Sequence, residues 1–113
     1  MLKYFPRWTE VPKPQDPALL SDWPYQRYGH TVVSKGNTCY LFGGRNDEAA
    51  CNLLFTFCTK THTWSRPQVS GDIPGERDGH SAAIIGQHMY VFGGYEVSLS
   101  YNRATCDTTP FII

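Results

Sequence analysis

The stretch RYGHTVVSKGNTCYLFGG at positions 27–44 recurs at positions 77–94 as RDGHSAAIIGQHMYVFGG. Aligning 26–45 with 76–95 gives eight identities in twenty positions without a gap. They are Arg27/Arg77, Gly29/Gly79, His30/His80, Gly36/Gly86, Tyr40/Tyr90, Phe42/Phe92, Gly43/Gly93 and Gly44/Gly94. Pro24/Pro74 extends the match upstream. A fixed period constrains the fold more than composition does. Each copy is one supersecondary unit, and it buries its apolar face against the next copy.

Within one period the residues predict four short strands. HTVVS (30–34) is apolar and follows the Arg-x-Gly-His turn. Lys35-Gly36-Asn37 is a hairpin turn, because Gly and Asn tolerate positive φ. TCYLF (38–42) suits a pleated surface and is stopped by Gly43-Gly44. NLLFTF (52–57) is the third strand, TKTHT (59–63) a turn, and Trp64 opens the fourth strand. The second copy repeats the first half as HSAAII, a Gly86-Gln87 turn, MYVF and Gly93-Gly94. No window shows sustained 3.6-residue periodicity with caps, so helix is not expected. A period near fifty residues built of four strands is that of a propeller blade.

Counting from the repeat divides the chain. Residues 1–10, with Trp8, are expected to end a preceding blade, and 11–25 to form a Pro-rich loop. Residues 26–70 make one complete blade, and 71–95 the first half of the next. After Gly94 the register predicts a third strand near 102–107, but NRATCD is polar there, unlike NLLFTF. Residues 96–113 are therefore read as a divergent tail outside the repeat. The fold class is all-β: a partial propeller of about two four-stranded blades, not closed. Such a piece is expected to be marginally stable.

Ten acidic and ten basic residues cancel, which gives no electrostatic case for nucleic acid or an anionic membrane as partner. No apolar run approaches the ~20 residues of a membrane-spanning helix, and the N-terminus has no signal-peptide h-region. An intracellular chain is the expectation. Cys39, Cys51, Cys58 and Cys106 form no C-x-x-C pair and are read as free thiols. No metal site, cofactor or glycine-rich phosphate loop is expected.

The aromatic-x-aromatic-Gly-Gly ending of the second strand, with Trp about twenty residues on, resembles the kelch family. Here it is Tyr40, Phe42, Gly43, Gly44 and Trp64, then Tyr90, Phe92, Gly93 and Gly94. GGRND, ACN and VSG-x-x-PG-x-RDGH narrow the resemblance to a group of kelch proteins that serve as substrate receptors of Cullin-2 ubiquitin ligases; residues 25–96 carry it. The resemblance implies a six-bladed propeller that binds C-terminal degrons, peptide tails often ending in glycine, on one face. It also implies elongin B/C and Cullin-2 as partners of full-length members, with the adaptor-binding segment beyond the propeller, and residence in cytoplasm and nucleus. A chromatin-associated scaffold linked to meiotic recombination is the alternative. A propeller enzyme is a weaker one, because no nucleophile–base pair or metal cluster stands out.

The candidate peptide-binding residues are Arg27, Tyr28, Arg45, Asn46, Arg77, Asp78 and Tyr95. Arg27 and Arg77 open each repeat. They either pair with nearby backbone and acids at a blade edge or form an arginine ring, whose guanidinium forks suit a peptide carboxylate. Arg45, Asn46, Asp47 and Tyr95 follow the double glycines, in loops, where binding residues concentrate. His30 and His80, followed by Thr31 and Ser81, could suggest nucleophilic chemistry. Their recurrence with the blade instead assigns them to structure, with Gly29, Gly79 and the aromatic-Gly-Gly-Trp signature.

Overall fold

The computed structural model describes residues 7–11, 24, 26–97, 102–104 and 108–112. No helix occurs among them; every regular element is a strand. The first sheet is a four-stranded antiparallel meander: β1 (Thr31–Lys35), β2 (Thr38–Phe42), β3 (Leu54–Cys58) and β4 (Thr63–Ser65), in sequence order. These four strands lie within 26–70, with β3 beginning two residues later than the sequence suggests. Gly36 turns the β1–β2 hairpin at φ 59°.

The second blade places β5 (Ser70–Gly71), β7 (Ser81–Ile85), β8 (His88–Phe92) and β11 (Thr108–Ile112) in the order β5-β11-β8-β7. A separate ribbon joins β6 (Arg77–Asp78), β9 (Tyr95–Val97) and β10 (Asn102–Ala104).

The tail departs from expectation. The third strand is not near 102–107 but at Thr108–Ile112, and it keeps the register of the first blade. Phe92 faces Thr108 and His88 faces Ile112, as Phe42 faces Leu54 and Thr38 faces Cys58. The physical reason lies in the connection after the double glycine, which runs from 43 to 53 in the first blade and from 93 to 107 in the second. The longer connection holds polar NRATCD, which pairs partly in the β9–β10 hairpin, and the strand-forming TTPFI comes after it. Pro110 lacks an N–H, yet β5 reaches only Phe111 and Ile112. At Pro110 the ladder therefore has a neighbour on the β8 side alone, which a proline tolerates.

Of residues 1–10, expected to end a preceding blade, the described 7–10 carry no strand, and Trp8 is 97% exposed. Residues 1–6 and most of the Pro-rich loop lie outside the described residues.

The core sits between the blades. Phe42 and Leu54 of the first pack against Met89 and Val91 of the second, bordered by Val33, Tyr40, Val69, Ala82 and Ile84. Strand alternation explains the choice: Val33, Tyr40, Phe42 and Leu54 share one face through the β1–β2–β3 register. Burying side chains of this size contributes roughly 1.5–3 kcal/mol each, so the blades stabilise one another.

Candidate functional site

The repeated residues build a joint with two halves. Within each blade the opening arginine holds the double glycine. Arg27 Nη1 donates to the Gly43 carbonyl at 2.9 Å and to Cys51 Sγ at 3.1 Å. Arg77 Nη1 donates to the Gly93 carbonyl at 3.0 Å, and its Nε to Gly75 O at 3.1 Å. Arg27 also lies 5.2 Å from the centre of the Phe55 ring. Both arginines are thus turned toward backbone, and Arg77 is buried.

Across the blades, the Gly44 N–H donates to Arg77 O at 2.9 Å, the Gly79 N–H to Gly29 O at 2.8 Å and the Arg77 N–H to Cys51 O at 3.3 Å. His80 is buried, edge-on to Phe42 at 5.4 Å between ring centres, with Nε2 2.9 Å from the Thr31 hydroxyl. Burial first, then the nearby Arg77 cation, hold its imidazole below the usual histidine range. The histidine-hydroxyl pair that the sequence offers within each repeat is realised between repeats, as a structural contact. The double glycine is needed because this approach leaves no room. A Cβ on Gly43 would lie 2.7 Å from His80 Cε1 and 2.9 Å from Arg77 O, and one on Gly44 2.8 Å from His30 Cβ.

Above the joint runs a rim. Tyr28 and Arg45 exchange two backbone hydrogen bonds of 2.9 Å, and Asp78 and Tyr95 pair at the equivalent position of the next blade. The two pairs are neighbours, because a Cβ on Gly29 would meet Asp78 Cβ at 2.9 Å. Asn46 shapes the loop: its Oδ1 accepts from the Glu48 and Ala49 N–H groups at 2.9 and 2.8 Å, an Asx turn. Tyr28, Asn46 and Tyr95 are exposed and Arg45 half-buried. Gln26, Arg27, Tyr28, Asn46, Asp47 and Glu48 line an open cavity of about 650 Å³. Asp78 Oδ1 is buried without a hydrogen-bond partner among the described residues.

The structure therefore divides the seven candidate residues. Tyr28, Arg45, Asn46 and Tyr95 present side chains on the rim. Arg27 and Arg77 brace it from beneath, and Asp78 lies between the two blades' turns. Sequence reasoning missed Cys51, whose counterpart position falls where the second copy departs from the repeat, and the cavity residues Gln26 and Glu48, which carry no motif. The other shifted group, Cys58, lies at the far end of β3; hydrogen bonding to Thr61 holds its thiol below the usual range. No trio of His, Cys, Asp or Glu among the described residues could hold a metal.

Comparison with known proteins fits this geometry. The model of the KLHDC2/KLHL20/DRC7 Kelch-repeats domain matches residues 7–109, nearly the whole chain. Kelch domain-containing protein 3 of Rattus norvegicus is 54% identical over 69 residues, covering 58% of this chain and 18% of that protein. The Homo sapiens protein of that name is 50% identical over the same length, with the same coverage. Kelch-like protein 40 of Xenopus tropicalis is 57% identical over 28 residues, 25% of this chain and 5% of its own. The chain thus matches less than a fifth of the length of the Kelch domain-containing protein 3 relatives. These matches support a kelch protein-interaction module. With the family model spanning both blades and the Gly-Gly joint between them, the chain belongs to the kelch-repeat family.

Proposed function

We propose that the rim formed by Tyr28, Arg45, Asn46 and Tyr95 binds the C-terminal tails of protein partners, including tails ending in glycine. We further propose that the chain is part of a substrate receptor working with elongin B/C and Cullin-2 in cytoplasm and nucleus. The observation that carries the first reading is the pairing of Tyr28 with Arg45 at 2.9 Å beside the open cavity. It sets a cation and an exposed aromatic side by side on two bridged segments, with Tyr95 at the position of the next blade that matches Arg45. A guanidinium suits a terminal carboxylate, and exposed tyrosines offer rigid contact area for the residues before it.

Titration of fluorescent peptides tests the reading. A peptide ending in glycine with a free carboxylate is expected to bind, and its C-terminal amide to bind at least about tenfold more weakly, the loss of one charge-assisted hydrogen bond. Equal affinity for acid and amide would contradict carboxylate recognition. Co-purification of Cullin-2 and elongins with the longer protein tests the ligase assignment separately, and imaging tests its location.

A further inference from the structure

The loop that follows the double glycine of the first blade is held from several sides. Arg45 is bridged to Tyr28 on one flank and to Ala50 on the other. Just before it, the Gly44 N–H donates to Arg77 O at 2.9 Å, and the Cys51 N–H donates to Gly44 O at 2.9 Å. The backbone of Arg45 is thereby fixed to the joint, and residues 46–49 form the tip between the paired positions. Asn46 makes the bonds that close this tip. Its N–H donates to Ala49 O at 3.1 Å, and its Oδ1 accepts from the Glu48 and Ala49 N–H groups at 2.9 and 2.8 Å.

Asn46 also holds the cation. Arg45 Nε donates to the Asn46 carbonyl at 3.3 Å. That carbonyl lies in the planar peptide unit joining Asn46 to Asp47, at the start of the Asx turn. A change in the turn therefore moves the acceptor on which the guanidinium rests. Asn46 lines the open cavity of about 650 Å³ and also a smaller one of about 60 Å³ that Arg45, Arg27 and Cys51 share.

We propose that Asn46 is a positioning residue of the rim, acting on a peptide carboxylate through Arg45 by fixing the 45–50 loop. The proposal rests on the reading of the rim as a carboxylate site. The side-chain oxygen of Asn46 is committed to two backbone donors, so its work as an acceptor is done inside the loop. Asparagine suits the task because its short carboxamide bonds nearby backbone without a charge. An aspartate here would close the same turn but compete with the peptide for the guanidinium.

A double-mutant cycle on the full chain tests this, read by fluorescence anisotropy with a glycine-ended peptide as the free acid and as the amide. Asn46→Ala is expected to weaken the acid about three- to tenfold and the amide less than about twofold. In the Arg45→Ala background the same change should cost less than about twofold, because the group it acts through is gone. Equal losses in the two backgrounds would overturn the proposal, since Asn46 would then contact the peptide itself. Unchanged acid binding in Asn46→Ala would overturn it too. Asn46→Ser, whose hydroxyl accepts from the same N–H groups more weakly, should restore part of the acid affinity. It takes the place of Asn46→Ala in the cycle if circular dichroism shows that variant unfolded.

Hydrogen exchange of the free chain reads the loop without peptide. The Glu48 and Ala49 amides should exchange about tenfold faster or more in Asn46→Ala, while the Gly44 and Gly79 amides of the joint keep their rates. Parent-like exchange at Glu48 and Ala49 would overturn the proposal. Equal affinity of the parent for acid and amide would sink the carboxylate reading, and this proposal with it. A parent that prefers the acid, with Asn46 variants that match it, would sink this proposal alone.

Discussion

The His80 imidazole of the second blade lies 2.9 Å from the Thr31 hydroxyl of the first, in a contact buried between two sheets and edge-on to Phe42. Around this pair, the turn that opens one blade fills the space left by the double glycine that ends a strand of the other. The repeated Arg-x-Gly-His and Gly-Gly segments are therefore two sides of one joint, and the rim that presents Tyr28, Arg45 and Tyr95 rests on it.

Protonation of His80 is expected to loosen the joint. Its folded-state pKa lies below the usual histidine value, so near pH 6 the unfolded chain binds more protons than the folded one. Stability then rises with pH through about 6.5 and levels off above it. Urea unfolding between pH 5.5 and 7.5 should show this rise, and His80→Gln should reduce it.

The glycines should separate into two classes. Gly36 has φ 59° and open space around it, so Gly36→Ala is expected to cost only the left-handed backbone strain, about 1–2 kcal/mol. Gly43→Ala adds a collision with His80 and the Arg77 backbone, and should cost clearly more or prevent folding. Denaturant midpoints of the two variants measure the difference.

Arg77→Lys is not a conservative change here. The guanidinium spans the Gly75 and Gly93 carbonyls, and an ammonium cannot hold both in the same geometry. The expected loss is about 2 kcal/mol, from leaving one buried acceptor unmet. Arg27→Lys, at a half-buried position, should cost less; thermal melts of the two compare them.

Arg45→Ala is expected to weaken binding of a free-carboxylate peptide by about tenfold or more while leaving the melting temperature nearly unchanged, because its side chain donates to the adjacent Asn46 carbonyl at the surface. Fluorescence anisotropy with the acid and amide peptides reads the effect, and the amide should lose little.

Much of this was legible in the sequence because the repeat has a period that counts residues. It placed β1 and β2 within a residue and located both double glycines, since a turn glycine and an apolar strand are local signals. It could not say which way the arginines point. Arg77 is buried at the joint with the first blade, where its backbone meets Gly44 and Cys51, a contact between residues distant in the chain. The third strand of the second blade was hidden for a similar reason, inside residues 96–113 read as a divergent tail. The count assumed equal connections, whereas Asn102–Ala104 pairs with β9 and Thr108–Ile112 takes the strand position. Of the rim residues, Arg45, Asn46 and Tyr95 were singled out because they follow the double glycines, and Tyr28 because it lies in the opening Arg-x-Gly-His turn. The cavity residues Gln26 and Glu48 were not, since nothing in their type or spacing sets them apart.

The most direct test of the joint compares two histidines that the sequence makes equivalent. His30→Ala and His80→Ala are measured by equilibrium urea unfolding of the dilute chain at pH 7.5. The joint predicts a loss of about 1–3 kcal/mol for His80→Ala, whose removal leaves Phe42 uncovered and the Thr31 hydroxyl unpaired, and a change within about 0.5 kcal/mol for exposed His30→Ala. Equal losses for the two, or a larger loss for His30→Ala, would contradict it.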